Sequence, residues 1–330
     1  MTDTPAAPLR RPRPTDPAIV SPLGPFEGAR PPAPNWFENA ISRAPERRFI
    51  MVEGARIELL IWGDEGKPGL LFMHGNGAHA DWYSFIAPFF ADQYRIVALS
   101  WSGMGRSDWR ERYSLDLFQQ EALAAAEHAG LFAHAEKPIF VAHSFGGDVA
   151  LWLAARHGDR LKATLLLDNV PRPPELRWTG PPVADGRAPR VHPDMTAALA
   201  RFRLMPPQGC DNLFLVDYIA RESLRDAPPD LGPPGTYIWR FDPQLWMRID
   251  QIRTFEPEKA LVDAKCPMAF IWGERSQLIP TAALDFTRMH IPGGTPMVAV
   301  PDADHHLMLD QPLATIASMR TLFATWPAES

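Results

Sequence analysis

Six short, almost uninterrupted apolar runs, spaced mostly by stretches with a helical repeat, constrain this chain more than any other feature. They are Gly69–Met73, Tyr94–Leu99, Pro138–Ala142, Ala163–Leu167, Met268–Trp272 and Pro296–Val300. A strand wetted on one face alternates apolar and polar residues, whereas a strand apolar throughout must be covered on both faces. The helical patterns at Leu115–Ala129 and Gly147–Arg156 supply such cover, and with it the crossovers that parallel strands require. The expected fold class is therefore α/β, a mostly parallel sheet flanked by helices. Ahead of it, Arg48–Glu53 and Arg56–Trp62 are β-rich runs around Gly54 and read as a hairpin.

Two stretches break this rhythm. Ten of the first 34 residues are proline, with Arg10, Arg11 and Arg13 among them. Proline offers no N–H to a helix or a ladder, so residues 1–35 read as a Pro-rich disordered or polyproline-like arm, a spacer or else a partner-binding tail. The second break runs from Pro171 to about Pro257, dense in proline at first and then helical at Met195–Arg203 and Leu213–Ser223. It reads as a helical cap inserted at 171–256 into a core made of 36–170 and 257–330. Its last part carries Tyr237, Trp239, Phe241, Leu245, Trp246 and Met247. These side chains either pack the cap on itself or wall a substrate pocket, since pockets are mostly apolar and aromatic.

Composition narrows the function. With 33 Lys+Arg against 39 Asp+Glu, a formal charge of −6, and no long basic stripe, the chain lacks the footprint that nucleic-acid phosphates demand. Cys210 and Cys266 stand far apart and fit neither a disulfide framework nor a paired-cysteine metal site. No apolar run approaches the roughly 18 residues of a membrane span. Pro and Arg interrupt the N-terminal stretch where a signal peptide would be apolar, so the expected location is the cytoplasm. The Gly103/Gly105 pair lacks the third glycine of a dinucleotide fingerprint.

The chemistry concentrates in three places. Val141-Ala142-His143-Ser144-Phe145-Gly146-Gly147 lies directly after a strand and before a helix. Small residues around Ser144 let the chain reverse sharply, holding the serine in a strained conformation with its hydroxyl exposed at a helix N-terminus. His74-Gly75-Asn76-Gly77 follows another strand, and a glycine-rich turn there leaves backbone N–H groups for a developing oxyanion. The N–H groups of Asn76 and of Phe145, the residue after the nucleophile, are the expected donors. A serine needs a base, and His305, after the last strand and the loop Pro301-Asp302-Ala303-Asp304, is favoured over His306. The crowding of Asp302, Asp304, His305 and His306 lacks a helical metal-binding frame, so no metal is expected.

From about Ile50 onward these pieces together resemble the α/β-hydrolase family with a helical cap. They come in that family's order: His74-Gly75-Asn76-Gly77, Ser102-Gly103-Met104-Gly105-Arg106-Ser107-Asp108, Ala142-His143-Ser144-Phe145-Gly146-Gly147, and His305-His306-Leu307-Met308-Leu309-Asp310-Gln311-Pro312. The resemblance implies a serine hydrolase in which Ser144 attacks a carbonyl, His305 moves the proton, and water resolves an acyl-enzyme. It also places an acid shortly after Met268–Trp272, where this chain instead has Ser276 or Gln277. The triad acid is then Asp168, at the end of Leu165-Leu166-Leu167, or Glu274, or the chain has no effective acid, with Asp168 favoured. Ser100 also departs from the family, which often has Asp there, and reads as structural. No cofactor is implied, and the expected substrate is a small apolar carboxylic ester or lactone. A carbon–carbon bond hydrolase, a thioesterase or an acyl transferase would use the same residues. A non-catalytic small-ligand-binding member, and a scaffold organised by the arm, stand as further alternatives.

Overall fold

The computed structural model describes residues 15–176, 188–250 and 255–326. Eight strands form one sheet: β1 (Glu46–Val52), β2 (Ala55–Trp62), β3 (Gly69–Met73), β4 (Arg95–Ser100), β5 (Ile139–His143), β6 (Ala163–Leu167), β7 (Met268–Gly273) and β8 (Met297–Val300). Their spatial order is β1-β2-β4-β3-β5-β6-β7-β8. Only β2 runs against its neighbours; every pairing from β4 to β8 is parallel. The β1–β2 hairpin turns at Glu53 and Gly54, whose φ values of 44° and 76° match the two left-handed positions of a two-residue hairpin turn.

Alternate residues of the central strands serve two different cores, which is why those runs look continuously apolar. Leu71, Met73, Val97, Leu99, Phe140, Ala142 and Leu166 face helices α1 (Leu115–His128) and α2 (Phe145–His157), whose Phe118, Ala122, Val149 and Leu153 complete that cluster. Leu70, Phe72, Ile96, Ala98, Val141, Leu165 and Leu167 face the other way, toward Trp82, Phe85, Phe90 and the C-terminal helix Pro312–Thr325. From β3 the chain moves outward to β4 and then returns to β3's other side as β5. The strand order therefore reverses at β3 and β5, and the crevice beyond their carboxyl ends is where a fold of this kind gathers a site.

Between β6 and β7 the inserted segment holds helices Met195–Leu199 and Leu213–Glu222 and a two-stranded ladder of Leu224–Asp226 with Tyr237–Trp239. Pro181 and Pro182 lie outside the described residues, as do residues 1–14 of the arm. The expectation of disorder fails for the rest of the arm, residues 15–35. Pro17 starts a short helix capped by Asp16, and Leu23 is buried against Ala198, Leu199, Val216, Ala220 and Leu224. Ser21 Oγ donates to the Ala200 carbonyl at 2.6 Å and Arg221 to that of Gly28 at 2.7 Å. Proline excludes a ladder, yet its fixed φ suits the first position of a helix, and one buried leucine anchors the segment. No helix among the described residues is long and apolar enough to cross a membrane.

One buried carboxylate ties the hairpin to the sheet. Glu58 on β2, fully enclosed, pairs with Arg47 of β1 and accepts from Ser100 Oγ of β4 at 2.7 Å and from the Arg106 N–H at 2.9 Å. Ser100 in turn accepts the Ala80 N–H at 3.0 Å, which gives this residue the structural role expected of it. Glu58→Gln should cost about 1–3 kcal/mol, because a neutral amide cannot match the fully buried carboxylate's bonds to the partly buried Arg47, to Ser100 and to the Arg106 N–H. Urea denaturation of the variant checks this, and an unchanged midpoint would contradict it.

Candidate active site

Ser144 sits between the last residue of β5 and the first of α2 with φ 51° and ψ −125°, a conformation L-residues rarely adopt. Three close approaches make the turn possible. A Cβ on Gly146 would lie 2.7 Å from the His74 carbonyl oxygen, one on Gly75 3.0 Å from Ser144 Cβ, and one on Gly147 2.5 Å from Asn169 Cγ. The strained residue is held by its N–H bond to the Leu167 carbonyl at 3.0 Å and by Asn169 Nδ2, which donates to the Ser144 carbonyl at 2.8 Å.

His305 Nε2 lies 2.9 Å from Ser144 Oγ, and His305 Nδ1 lies 2.6 Å from Asp168 Oδ2. A carboxylate only accepts, so Nδ1 carries the proton and Nε2 is free to accept from the serine. His305 and Asp168 are buried. Asp168, itself left-handed at φ 47°, is fixed by four bonds: its N–H to the Ile271 carbonyl at 2.7 Å, Oδ1 from the Gly273 N–H at 2.9 Å, and Oδ2 from Ser276 Oγ at 2.6 Å as well as from His305. The parallel register sets Leu167 beside Ile271, so the residue after β6 falls within reach of the turn after β7. Glu274 is exposed, its N–H bonded to the Val300 carbonyl, and it makes no contact with His305. The structure thus brings Ser144, His305 and Asp168 into one chain of hydrogen bonds and leaves Glu274 outside it.

The N–H of Phe145 is the first of α2, where no intrahelical acceptor exists, and that of Asn76 meets no acceptor among the described residues. The loop bearing Asn76 is clamped by His74. Its Nδ1–H donates to the Gly75 carbonyl at 2.7 Å and its Nε2 accepts the Trp101 N–H at 3.1 Å, while burial pushes the imidazole down to about 3, so it is neutral. Of the aromatic run, Trp239 packs on His192 and Phe202 within the inserted segment, and Phe241 bridges to Met104 of the core. Trp246 alone among them reaches the crevice, stacking edge-on against Phe145 at 5.3 Å and donating from Nε1 to Asn76 Oδ1 at 3.0 Å.

Sequence reasoning saw Ser276 only as a missing acid; here it is a donor to Asp168. It also gave no role to His143, whose Nε2–H donates to the His305 carbonyl at 3.0 Å and which burial holds neutral, far below the usual imidazole range. Nothing in the linear spacing marks either contact, since both cross between strands. His143, His305 and His306 place one donor nitrogen each within 4.8 Å of one another. His305 directs both of its nitrogens at Ser144 and Asp168.

A parallel sheet with a serine elbow, a histidine and an acid at the carboxyl ends of its strands defines a hydrolase scaffold. The chain belongs to the alpha/beta hydrolase family, whose model matches residues 70–318. It is 33% identical over 157 residues to Epoxide hydrolase 1 of Caenorhabditis elegans, covering 46% of this chain and 36% of that protein. It is 28% identical over 219 residues to the pimeloyl-[acyl-carrier protein] methyl ester esterase of Sodalis glossinidius, covering 65% and 78% respectively. The chain spans about a third of the length of the epoxide hydrolase 1 and 4 relatives it matches. Among solved structures, E-2-(acetamidomethylene)succinate hydrolase superposes with a TM-score of 0.67 at 18% identity over 85% of this chain and all of that one, a likeness of fold.

A titratable group beside the elbow sets a pH signature. Asp148, on the first turn of α2, accepts from Asn169 Nδ2 at 3.0 Å, yet burial outweighs that bond and the charge of Arg172 and pushes its carboxyl up to about 6. A carboxyl raised in the folded state favours the fold while protonated and opposes it once ionised. Wild type should therefore lose stability through this group as pH rises from about 4 through about 6, and Asp148→Asn should not. Thermal melts of the two proteins at pH 4.5 and pH 8 check this: the variant gains relative to wild type at pH 8, and a difference independent of pH would contradict the assignment.

Proposed function

We propose that the chain is a serine hydrolase that cleaves a small, largely apolar carboxylic ester or lactone through an acyl-enzyme. The observation that carries this reading is the Ser144 Oγ–His305–Asp168 chain, with links of 2.9 Å and 2.6 Å. His305 Nε2 takes the Ser144 proton as Oγ attacks the carbonyl, and Asp168 holds the imidazole in the right tautomer and stabilises the imidazolium that forms. The N–H groups of Asn76 and Phe145 receive the oxyanion, and His305 returns its proton to the leaving alcohol. A water then attacks the acyl-enzyme with His305 again as base. Ser276 and the Gly273 N–H act as positioning groups on Asp168, and His143 steadies the backbone of His305.

The nucleophile separates this reading from epoxide and haloalkane chemistry. A serine that opened an epoxide or displaced a halide would become an ether, which water does not cleave; a turnover cycle of that kind needs a carboxylate, whose ester can be hydrolysed. Ser144 requires an acyl group. The aromatic cap residue Trp246, beside both proposed oxyanion donors, favours an apolar acyl or alkoxy group next to the reacting carbonyl. The similarity to a methyl ester esterase is consistent with an ester.

Steady-state kinetics on a panel of p-nitrophenyl esters and lactones test the proposal. Ser144→Ala should abolish turnover to the level left by binding and the oxyanion donors, and Asp168→Asn should lower kcat by about 10⁴ with little change in KM. Glu274→Gln should match wild type. Damage by Glu274→Gln with Asp168→Asn unaffected would overturn the acid, and turnover that survives Ser144→Ala would overturn the mechanism.

A further inference from the structure

Where the inserted segment returns to the core there is a cleft of about 400 Å³ lined by none of Ser144, His305, Asp168, Asn76 and Phe145. Four arginines line it: Arg56 and Arg106 from the core, Arg225 and Arg240 from the inserted segment. Two of them are answered. Arg56 faces Asp108, which also lines the cleft, at 3.7 Å; Arg106 faces Glu222 at 2.6 Å and Glu58 at 3.4 Å. Arg225 and Arg240 form no ion pair among the described residues, and of the two Arg240 feels the more distant charges of Glu222 and Asp81.

The fold maintains this cluster at a cost. Burial, followed by the charges of Arg106 and Arg225, pushes the Arg240 guanidinium down to about 10. Arg225 Nε is buried and meets no acceptor among the described residues. Rings fix two of the four side chains: Arg225 lies over Trp109 at 4.7 Å from its centroid and Arg56 over Phe49 at 4.8 Å. A guanidinium stacked by its face keeps its edge N–H groups for an oxyanion, and edge-on forks match phosphate oxygens. Arg240 spends only Nε, on the Leu224 carbonyl at 2.8 Å. Half-buried cations without an ion-pair partner are partly desolvated at a cost, and a ligand carrying the opposite charge offsets that cost on binding.

We propose that this cleft binds a doubly charged phosphate group, held by Arg225 and Arg240 of the inserted segment together with Arg106 of the core. Its two sources are free inorganic phosphate and the phosphomonoester of an organic ligand. Two anionic oxygens match the two guanidiniums that form no ion pair among the described residues, while Asp108 and Glu222 set a limit against more highly charged species. Because both halves of the clamp come from different parts of the chain, the bound anion ties the inserted segment to the core.

Isothermal titration of the full chain with inorganic phosphate, adenosine 5′-monophosphate and adenosine, at constant ionic strength set with sodium chloride, tests this. The expected result is saturable one-to-one binding of a phosphate-bearing probe to wild type and to Ser144→Ala alike, so that the outcome does not depend on the hydrolase reading. Arg225→Gln and Arg240→Gln should each weaken it by about tenfold or more. Arg225→Gln removes no hydrogen bond made by Nε and loses only the stacking on Trp109, and a far-ultraviolet circular dichroism spectrum and melting temperature matching wild type show that the variant is folded. Equal affinity for both phosphates identifies the free ion as the ligand; nucleotide binding about tenfold tighter, with adenosine silent, identifies a phosphomonoester. No saturable heat with either phosphate, or binding unchanged in Arg225→Gln, would overturn the site.

Discussion

The 2.6 Å hydrogen bond between His305 Nδ1 and Asp168 Oδ2 is the contact around which the site is organised. It joins the loop after β8 to the turn after β6, and its acceptor is pinned in turn by Gly273 and Ser276 from the end of β7. Three neighbouring parallel strands are thereby locked at their carboxyl ends. A Cβ on Gly273 would lie 2.2 Å from the Asp304 carbonyl oxygen, so the same turn also needs a glycine to let the His305 loop lie close. In the mechanism we propose, loss of that bond leaves the imidazole with no fixed tautomer and Ser144 with no oriented base.

The sheet explains why these groups meet where they do. Reversal of strand order at β3 and β5 opens a crevice there, and the glycines at 75, 146 and 147 let the Asn76 loop and the first turn of α2 approach within van der Waals distance. Local strain at Ser144, Asp168 and Asp302, all with positive φ, is confined to turns that follow strands. The rigid two-sided core beneath supports that strain, as functional sites on such scaffolds commonly require.

Much of this was legible in the sequence. Runs apolar on both faces specify buried parallel strands, and their ends agree with the observed strands to within a residue or so, because a strand buried on both sides has no freedom to slip. Ser144, His305 and Asp168 could be nominated from their positions just after strands. Contacts that cross the sheet were not legible: Ser276 donating to Asp168, His143 to the His305 carbonyl, and Trp246 to Asn76 depend on which strands and segments become neighbours. Residues 15–35 misled for a different reason. Proline density argues against ladders, yet Leu23 in an apolar slot formed by residues far along the chain, with the hydrogen bonds of Ser21 and Gly28 to the inserted segment, holds them in place.

The central claim is that Ser144 is an activated nucleophile, and intact-mass analysis after treatment with a fluorophosphonate tests it without any choice of substrate. The account predicts one covalent adduct per chain on wild type, formed far more slowly on His305→Ala, and none on Ser144→Ala. A wild type that takes up no adduct, or a Ser144→Ala protein that is labelled as readily, would contradict it.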